Sequence, residues 1–408
     1  MALIRLVGKK YFRDINFIIS FTCVFYILFL AIYYGLQEQV DFRVFWTAGK
    51  EWNEGNNPYL RENQGNPSHP LLNAPTSLLL YGILGKFDLQ VAAVLYRLLC
   101  VGLLLMLTVF VSRKLNMSFY FIFPFIALST PFRTNLGSGQ VSLLAAIAFI
   151  YIVLSIYKDQ KLNKAAVIFS LFVILSFKAY MFPAAILLLF LRKRIYLVLL
   201  GLGTFAFGLV ILELRVNIID SWLENTSRIG AVAINEANNS SIISIVSRLT
   251  NNLSFAVIVF LFINTTLFVF LIKDRNEMSI FSNILLFGLI SSIYVHHQDY
   301  LLALIALIIL LSSKAQTNSK IIDFFHVGLQ PNSLFLHIVT FSLRVLQFHK
   351  IRPRSYAWYP IIFSGATAFY WYQGNIYTSF LIYDLVYMAT VFLILVKIYK
   401  MRSSVIIS

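Results

Sequence analysis

Val40-Asp41-Phe42-Arg43-Val44-Phe45-Trp46-Thr47-Ala48-Gly49 follows closely on the first long apolar run of the chain. Phe42, Phe45, Trp46, Gly49 and Trp52 recur at helical spacing, so the stretch predicts a helix lying in a membrane interface. Gly55-Asn56-Asn57-Pro58 ends it. Asp41 stands at its head, within a few residues of the membrane boundary set by the preceding run. A carboxylate at that depth is unfavourable unless it has a partner or a task. The rest of the chain reads as a membrane-embedded cup around it.

Composition supports this. The chain has 408 residues, 59% of them apolar and 12% charged, and its mean hydropathy is +0.78. That charge content is about half the ~25% of soluble domains, which defines an all-α polytopic membrane protein. One integral domain over 1–408 is expected. The net charge of +16 does not point to nucleic acid, because the basic residues sit in short clusters between apolar runs. Cytoplasmic flanks facing anionic headgroups explain them. The two cysteines, Cys23 and Cys100, lie in apolar runs and set up neither a disulfide framework nor a metal motif. Arg5, Lys9, Lys10 and Arg13 precede an apolar run with no small-residue cleavage site after it, so that run predicts a first span rather than a cleaved signal.

Working outward, 15–34 is the first span and 35–77 a long polar loop with the interfacial helix and a turn-rich middle. Residues 73–84 are too short to cross and are expected to dip in and return. Spans follow at 89–112, 118–131, 140–157, 165–177, 180–191 and 195–212, with a loop at 132–139. A second long polar loop occupies 215–252, and further spans cover 254–272, 279–295 and 300–311. Residues 321–350 are amphipathic and expected on the cytoplasmic surface; 356–372 and 377–396 form a last hairpin. The total is about 12 spans with both termini inside. The basic clusters at 113–114, 158–164, 192–194, 273–275, 314–320, 349–354 and 397–402 then share one side, and the two long loops share the other. Short spans such as 165–177 and 180–191 suggest broken helices around a cavity.

Five places could carry chemistry. Asp41 fits a helix cap or a general base equally well. Lys178 breaks the charge rule by lying on the outer side; it is either a snorkelling lysine or a point charge for a phosphate. His296-His297-Gln298-Asp299-Tyr300 is a polar pentad between two apolar runs, read as a solvated turn or as a site for an anion or an acceptor. Adjacent histidines point in different directions and no third ligand is evident, so no metal is assigned. Gly137-Ser138-Gly139-Gln140 fits a helix-start turn or an anion site at a helix N-terminus. Asn238-Asn239-Ser240-Ser241 with Arg248 fits an exposed polar loop or a set of donors for sugar hydroxyls or phosphate. Asn225-Thr226-Ser227 and Asn239-Ser240-Ser241 match glycosylation sequons, a pattern frequent by chance.

In order along the chain, Asp41-Phe42, Val44-Phe45, Ala48, Gly55-Asn56-Asn57-Pro58-Tyr59, Asn73-Ala74-Pro75, Gly139-Gln140-Val141-Ser142, Lys178, Asn239-Ser240-Ser241 with Arg248, and His296-His297-Gln298-Asp299 form a series. This series resembles the polyprenol-phosphate-sugar-dependent membrane glycosyltransferases of the GT-C class, and more narrowly glycosyltransferase family 87, over about residues 35–312. Asn73-Ala74-Pro75 departs from a double-proline element, and Asn239-Ser240-Ser241 from an Asn-Gln-Ser element. Residues 313–408 match nothing specific and are expected to be variable C-terminal helices.

The resemblance implies a GT-C-like bundle in a bacterial plasma membrane, with loops 35–77 and 215–252 covering a site that faces the periplasm or exterior. It implies that Asp41 matches the family's catalytic aspartate. The expected reaction moves a hexose, mannose first, from a polyprenyl-phosphate donor to a lipid or glycan acceptor, with Lys178, Arg248 and Gln140 toward the donor phosphate. His296, His297, Asp299, Asn239 and Tyr59 are expected around the substrates. No cofactor or metal is called for, and a monomer is expected. Two other readings stand beside this one: an envelope polysaccharide polymerase or lipid-linked-oligosaccharide flippase, and a solute transporter. The position of Asp41 in an early loop disfavours the first, and the lack of an internal repeat disfavours the second.

Overall fold

The computed structural model describes residues 2–37, 40–64, 71–127, 129–156, 162–233, 241–273, 277–292, 299 and 301–312. Among them every regular element is helical and no strand occurs. The chain divides into two units, Met1–Ile309 and Leu310–Ser408. The expected elements at 321–350, 356–372 and 377–396 lie outside the described residues.

Helix α1 (Ala2–Gly35) begins well before the expected 15–34. Its basic residues lower the hydropathy of the first turns, but lysine and arginine are good helix formers, so the helix itself continues. The interfacial stretch forms α2 (Val40–Asn53). The segment expected to dip and return is a 3-10 turn at Pro75–Ser77 running into the seven-residue α3 (Leu78–Leu84). Then come α4 (Leu89–Leu115) and α5 (Phe119–Ala127).

Residues 132–139, expected as a loop, form most of α6 (Thr130–Ser138). The Ser129 hydroxyl accepts from the Phe132 amide, Pro131 suits the first turn, and Gly139 ends the helix at φ +70°. The polar composition that suggested a loop is here a capped helix.

Next are α7 (Ser142–Ile156), α8 (Lys164–Phe177), α9 (Phe182–Leu191) and α10 (Ile195–Val216). The second long loop also holds helices, α11 (Ile219–Ala233) and α12 (Ile242–Thr250). One Glu213 carboxylate oxygen accepts from the Ile218 and Ile219 amides, both at 2.7 Å, which satisfies orphan donors where α11 starts. The described chain ends with α13 (Leu253–Lys273), α14 (Glu277–Ile290) and α15 (Leu301–Ser312).

Helix α7 is the axis. It is apolar all round, buried along nearly its whole length, and packed by α4, α6, α8, α9 and α14. With 15 residues it is about 22 Å long, short of the ~30 Å hydrocarbon thickness. Helices α8 and α9 are shorter still. Helices α4 and α10 are long and apolar enough to cross a membrane. The outer surface of α10 bares Leu199, Phe207 and Leu214, the last 83% exposed. A surface of this extent over several turns fits hydrocarbon better than water.

Candidate active site

Helix α2 is pinned against α3. A Cβ on Gly49 would lie 1.9 Å from the Tyr81 carbonyl oxygen, so only glycine lets α2 and α3 touch backbone to backbone. The Phe45 and Tyr81 rings stack at 5.0 Å, the Trp46 indole donates to the Phe87 carbonyl at 2.9 Å, and the Asn53 amide donates to the Gly82 carbonyl at 2.8 Å. Asp41 lies in the first turn of α2 and is half-buried. It is therefore inside the helix rather than at its cap position. There the helix dipole favours a charged carboxylate by roughly 0.3–1 kcal/mol. Four residues before Phe45, it shares the face that stacks on Tyr81.

Tyr81 carries the connection onward. Its hydroxyl donates to the Asn73 side-chain oxygen at 3.1 Å, and the Asn73 amide donates to the Phe177 carbonyl at 2.9 Å. The Ala74 amide donates to the Ser176 carbonyl at 3.1 Å, and the Thr76 and Ser176 hydroxyls are 2.7 Å apart. Asn73-Ala74-Pro75 is thereby sutured to the last turn of α8. The next residue is Lys178, which ends α8 outside the helical conformation, at φ -149° and ψ 68°. Its ammonium lies 3.6 Å from the Asp299 carboxylate and over the Tyr180 ring at 5.5 Å. Asp299 is fully buried and the Lys178 side chain is 11% exposed. Two candidates far apart in sequence are thus one ion pair, and Lys178 is not a lysine snorkelling to water.

The two polar loops meet directly. The Asn57 amide donates to the Asn217 carbonyl at 3.0 Å and the Ser221 hydroxyl at 3.1 Å. The Asn225 amide donates to the Tyr59 carbonyl at 2.6 Å, and the Trp222 indole to the Leu72 carbonyl at 3.3 Å. The Arg215 guanidinium stacks on Trp52 at 4.2 Å. Loops read as lying on the same side of the membrane are in contact. Tyr59 is buried, its hydroxyl donates to the Asn73 carbonyl, and burial raises its phenol well above the ordinary value. Asn225, readable as a sequon, is a buried clamp between the loops.

A third cluster centres on Arg97, within α4 and fully buried. Its guanidinium donates to the carbonyls of Leu136 at 3.0 Å, Ala93 at 3.0 Å and Gly137 at 3.2 Å, and stacks on the Phe42 ring at 5.4 Å. Hydrogen bonds from a charged donor are worth roughly 1.5–3 kcal/mol each, the scale needed to hold a cation out of water. Beside it, the Tyr96 hydroxyl donates to the Gln140 carbonyl at 2.9 Å, while the Gln140 side chain stays half-exposed. The sequence reading passed over Arg97. The available signal was a lone arginine well inside an otherwise apolar span.

Of the other candidates, Arg248 lies in the last turn of α12, which packs chiefly on α13. His296, His297 and Asn239 lie outside the described residues. Among the described residues no cluster of His, Cys, Asp and Glu has the makings of a metal site.

Among the described residues the structure is all-helical, two helices are long and apolar enough to cross a membrane, and the two polar loops are in contact, which is consistent with an all-α membrane protein. The sequence profile of glycosyltransferase family 87 matches residues 72–313, more than half of the chain. The chain belongs to glycosyltransferase family 87 and is a glycosyltransferase. It matches no curated protein and no solved structure.

Proposed function

We propose that the enzyme is an inverting transferase that moves a hexose, mannose first, from a polyprenyl-phosphate donor to a lipid or glycan acceptor. In this reading it works as a monomer at the outer face of a bacterial plasma membrane, within a GT-C-like bundle of about 12 spans. The observation that carries it is the half-open carboxylate of Asp41 on the helix whose Phe45 stacks on Tyr81, a contact that continues through Asn73 and Phe177 to the nearly buried cation Lys178. The family membership supports the reaction class.

Asp41 takes the proton of the acceptor hydroxyl. The acceptor oxygen attacks the anomeric carbon as the bond from that carbon to the phosphate oxygen breaks. The electron pair leaves with the phosphate, and the anomeric configuration inverts. A glycosidase must protonate an alkoxide and so uses two carboxylates. A phosphate departs as an anion, so one base suffices, and a nearby cation stabilises the departing charge. Lys178 has three N–H donors. Asp299 engages the ammonium from one side, which aims the remaining donors, and Gln140 and Arg248 are assigned to the same phosphate. Asn239, His296 and His297 are assigned to the sugar and acceptor, while Tyr59, expected beside them, is buried and holds the frame between the loops.

The test is incubation of the purified enzyme in detergent with radiolabelled polyprenyl-phosphate mannose and envelope lipid extract. Transfer with inversion is expected. An inert donor across all envelope acceptors defeats the reading and turns attention to polymerases and flippases.

A further inference from the structure

Arg97 ties three segments that the reaction needs in register. It grows from α4, its donors reach the Leu136 and Gly137 carbonyls at the end of α6, and its face lies on the ring of Phe42. Phe42 directly follows Asp41 in the first turn of α2. The turn after α6 is pressed into the same contact: a Cβ on Gly139 would lie 2.9 Å from the Phe42 Cβ and 3.2 Å from Arg97 Nη2. Tyr96 holds the far side of that turn through the Gln140 carbonyl and sets its own ring 5.6 Å from Phe42. Among the described residues no carboxylate pairs with Arg97; its charge is met by carbonyls and a ring.

An apolar residue would fill this place in a membrane helix without desolvating a cation. A bidentate arginine there gives something an apolar residue cannot, a fixed distance between two backbone segments. We infer that Arg97 is a positioning residue: it sets the first turn of α2 against the Gly137–Gln140 turn, and so places the Asp41 carboxylate. The inference rests on the reading of Asp41 as the base. Phe42 is buried on Arg97, and adjacent helical residues point about 100° apart, so seating Phe42 fixes the direction of Asp41.

Two measurements test this. Hydrogen exchange needs no donor: in Arg97→Met the amides of residues 40–48 are expected to exchange at least tenfold faster, while those of 101–112 in the same α4 keep their rates. Unchanged exchange at 40–48, or equal loosening at both places, overturns the inference. Kinetics then read the consequence. Arg97→Met is expected to lower kcat about 100-fold with the donor KM within threefold, and Arg97→Lys, which keeps the charge but not the fork, to recover about tenfold of that loss. A kcat within threefold of wild type in Arg97→Met overturns the assignment. Should Arg97→Met not fold, Phe42→Leu keeps the apolar volume and removes the ring; its kcat is expected to fall about tenfold at unchanged KM, and an unchanged kcat overturns the inference. A wild-type enzyme inert toward every polyprenyl-phosphate hexose would defeat the proposed function, and the exchange experiment would still decide the role of Arg97.

Discussion

Asp41 and Asp299 are the same residue type in opposite settings. Asp41 lies in the first turn of α2, half-open, and among the described residues no cation pairs with it. Asp299 is fully buried against Lys178. A carboxylate that must collect a proton has to be reachable and uncommitted. A carboxylate whose charge is matched in a dry site is committed to its partner and serves to hold it. Under the proposed reaction the contrast fits chemistry at the first and architecture at the second, although both are single acids beside apolar runs in the sequence.

The sharpest way to break the comparison is to neutralise each acid in turn. Asp41→Asn keeps the volume and loses the base; turnover is expected to fall at least about 1000-fold with the melting temperature in detergent nearly unchanged. Asp299→Asn is expected to do the reverse in emphasis, with a clear loss of stability and a smaller loss of turnover. Near-normal transfer by Asp41→Asn removes that residue from the mechanism.

A smaller effect separates holding from binding at Lys178. Lys178→Met leaves Asp299 buried without its cation, and removal of one partner of such a pair costs about 3–5 kcal/mol. Adding Asp299→Leu removes the buried negative charge that Lys178 had matched, so the double variant is expected to regain most of the stability. It lacks the cation assigned to the phosphate, so turnover stays low and the donor KM stays high. Recovery of turnover together with stability would make the pair purely architectural. Equilibrium unfolding in mixed micelles and a donor titration read the two quantities separately.

The sequence made Asp41, Lys178 and Asp299 visible because charges are rare in apolar runs, and its positive-inside pattern gave the expectation of both long loops on one side; in the fold the two loops touch. It did not reveal that Lys178 pairs with Asp299, since long-range partners leave no local periodicity. Nor did it reveal the helices within the polar loops: α11 depends on Glu213 from the preceding helix and α6 on the Ser129 cap, both small side-chain effects against a polar background. Arg97 was present in the text of the sequence as an intramembrane charge, but its meaning depends on Leu136, Gly137 and Phe42, which only the fold brings to it.

The finest test concerns the frame joining the two carboxylate sites. Tyr59→Phe removes one hydroxyl, and with it the bond to the Asn73 carbonyl. Such a bond contributes roughly 0.5–1.5 kcal/mol, so the expected loss is small at neutral pH and turnover falls only a few-fold. The pH dependence adds a signature. Burial raises the folded-state value of the Tyr59 phenol well above the 10.0 it has when exposed. The folded state therefore holds this proton where the unfolded chain releases it. The stabilisation is complete below pH 10 and declines as the pH rises beyond it. Other buried tyrosines act in both proteins, so the difference between wild type and Tyr59→Phe isolates this one. The wild type is expected to lose stability more steeply than the variant above pH 10, and parallel curves would place the Tyr59 hydroxyl in water rather than in the seam between the loops.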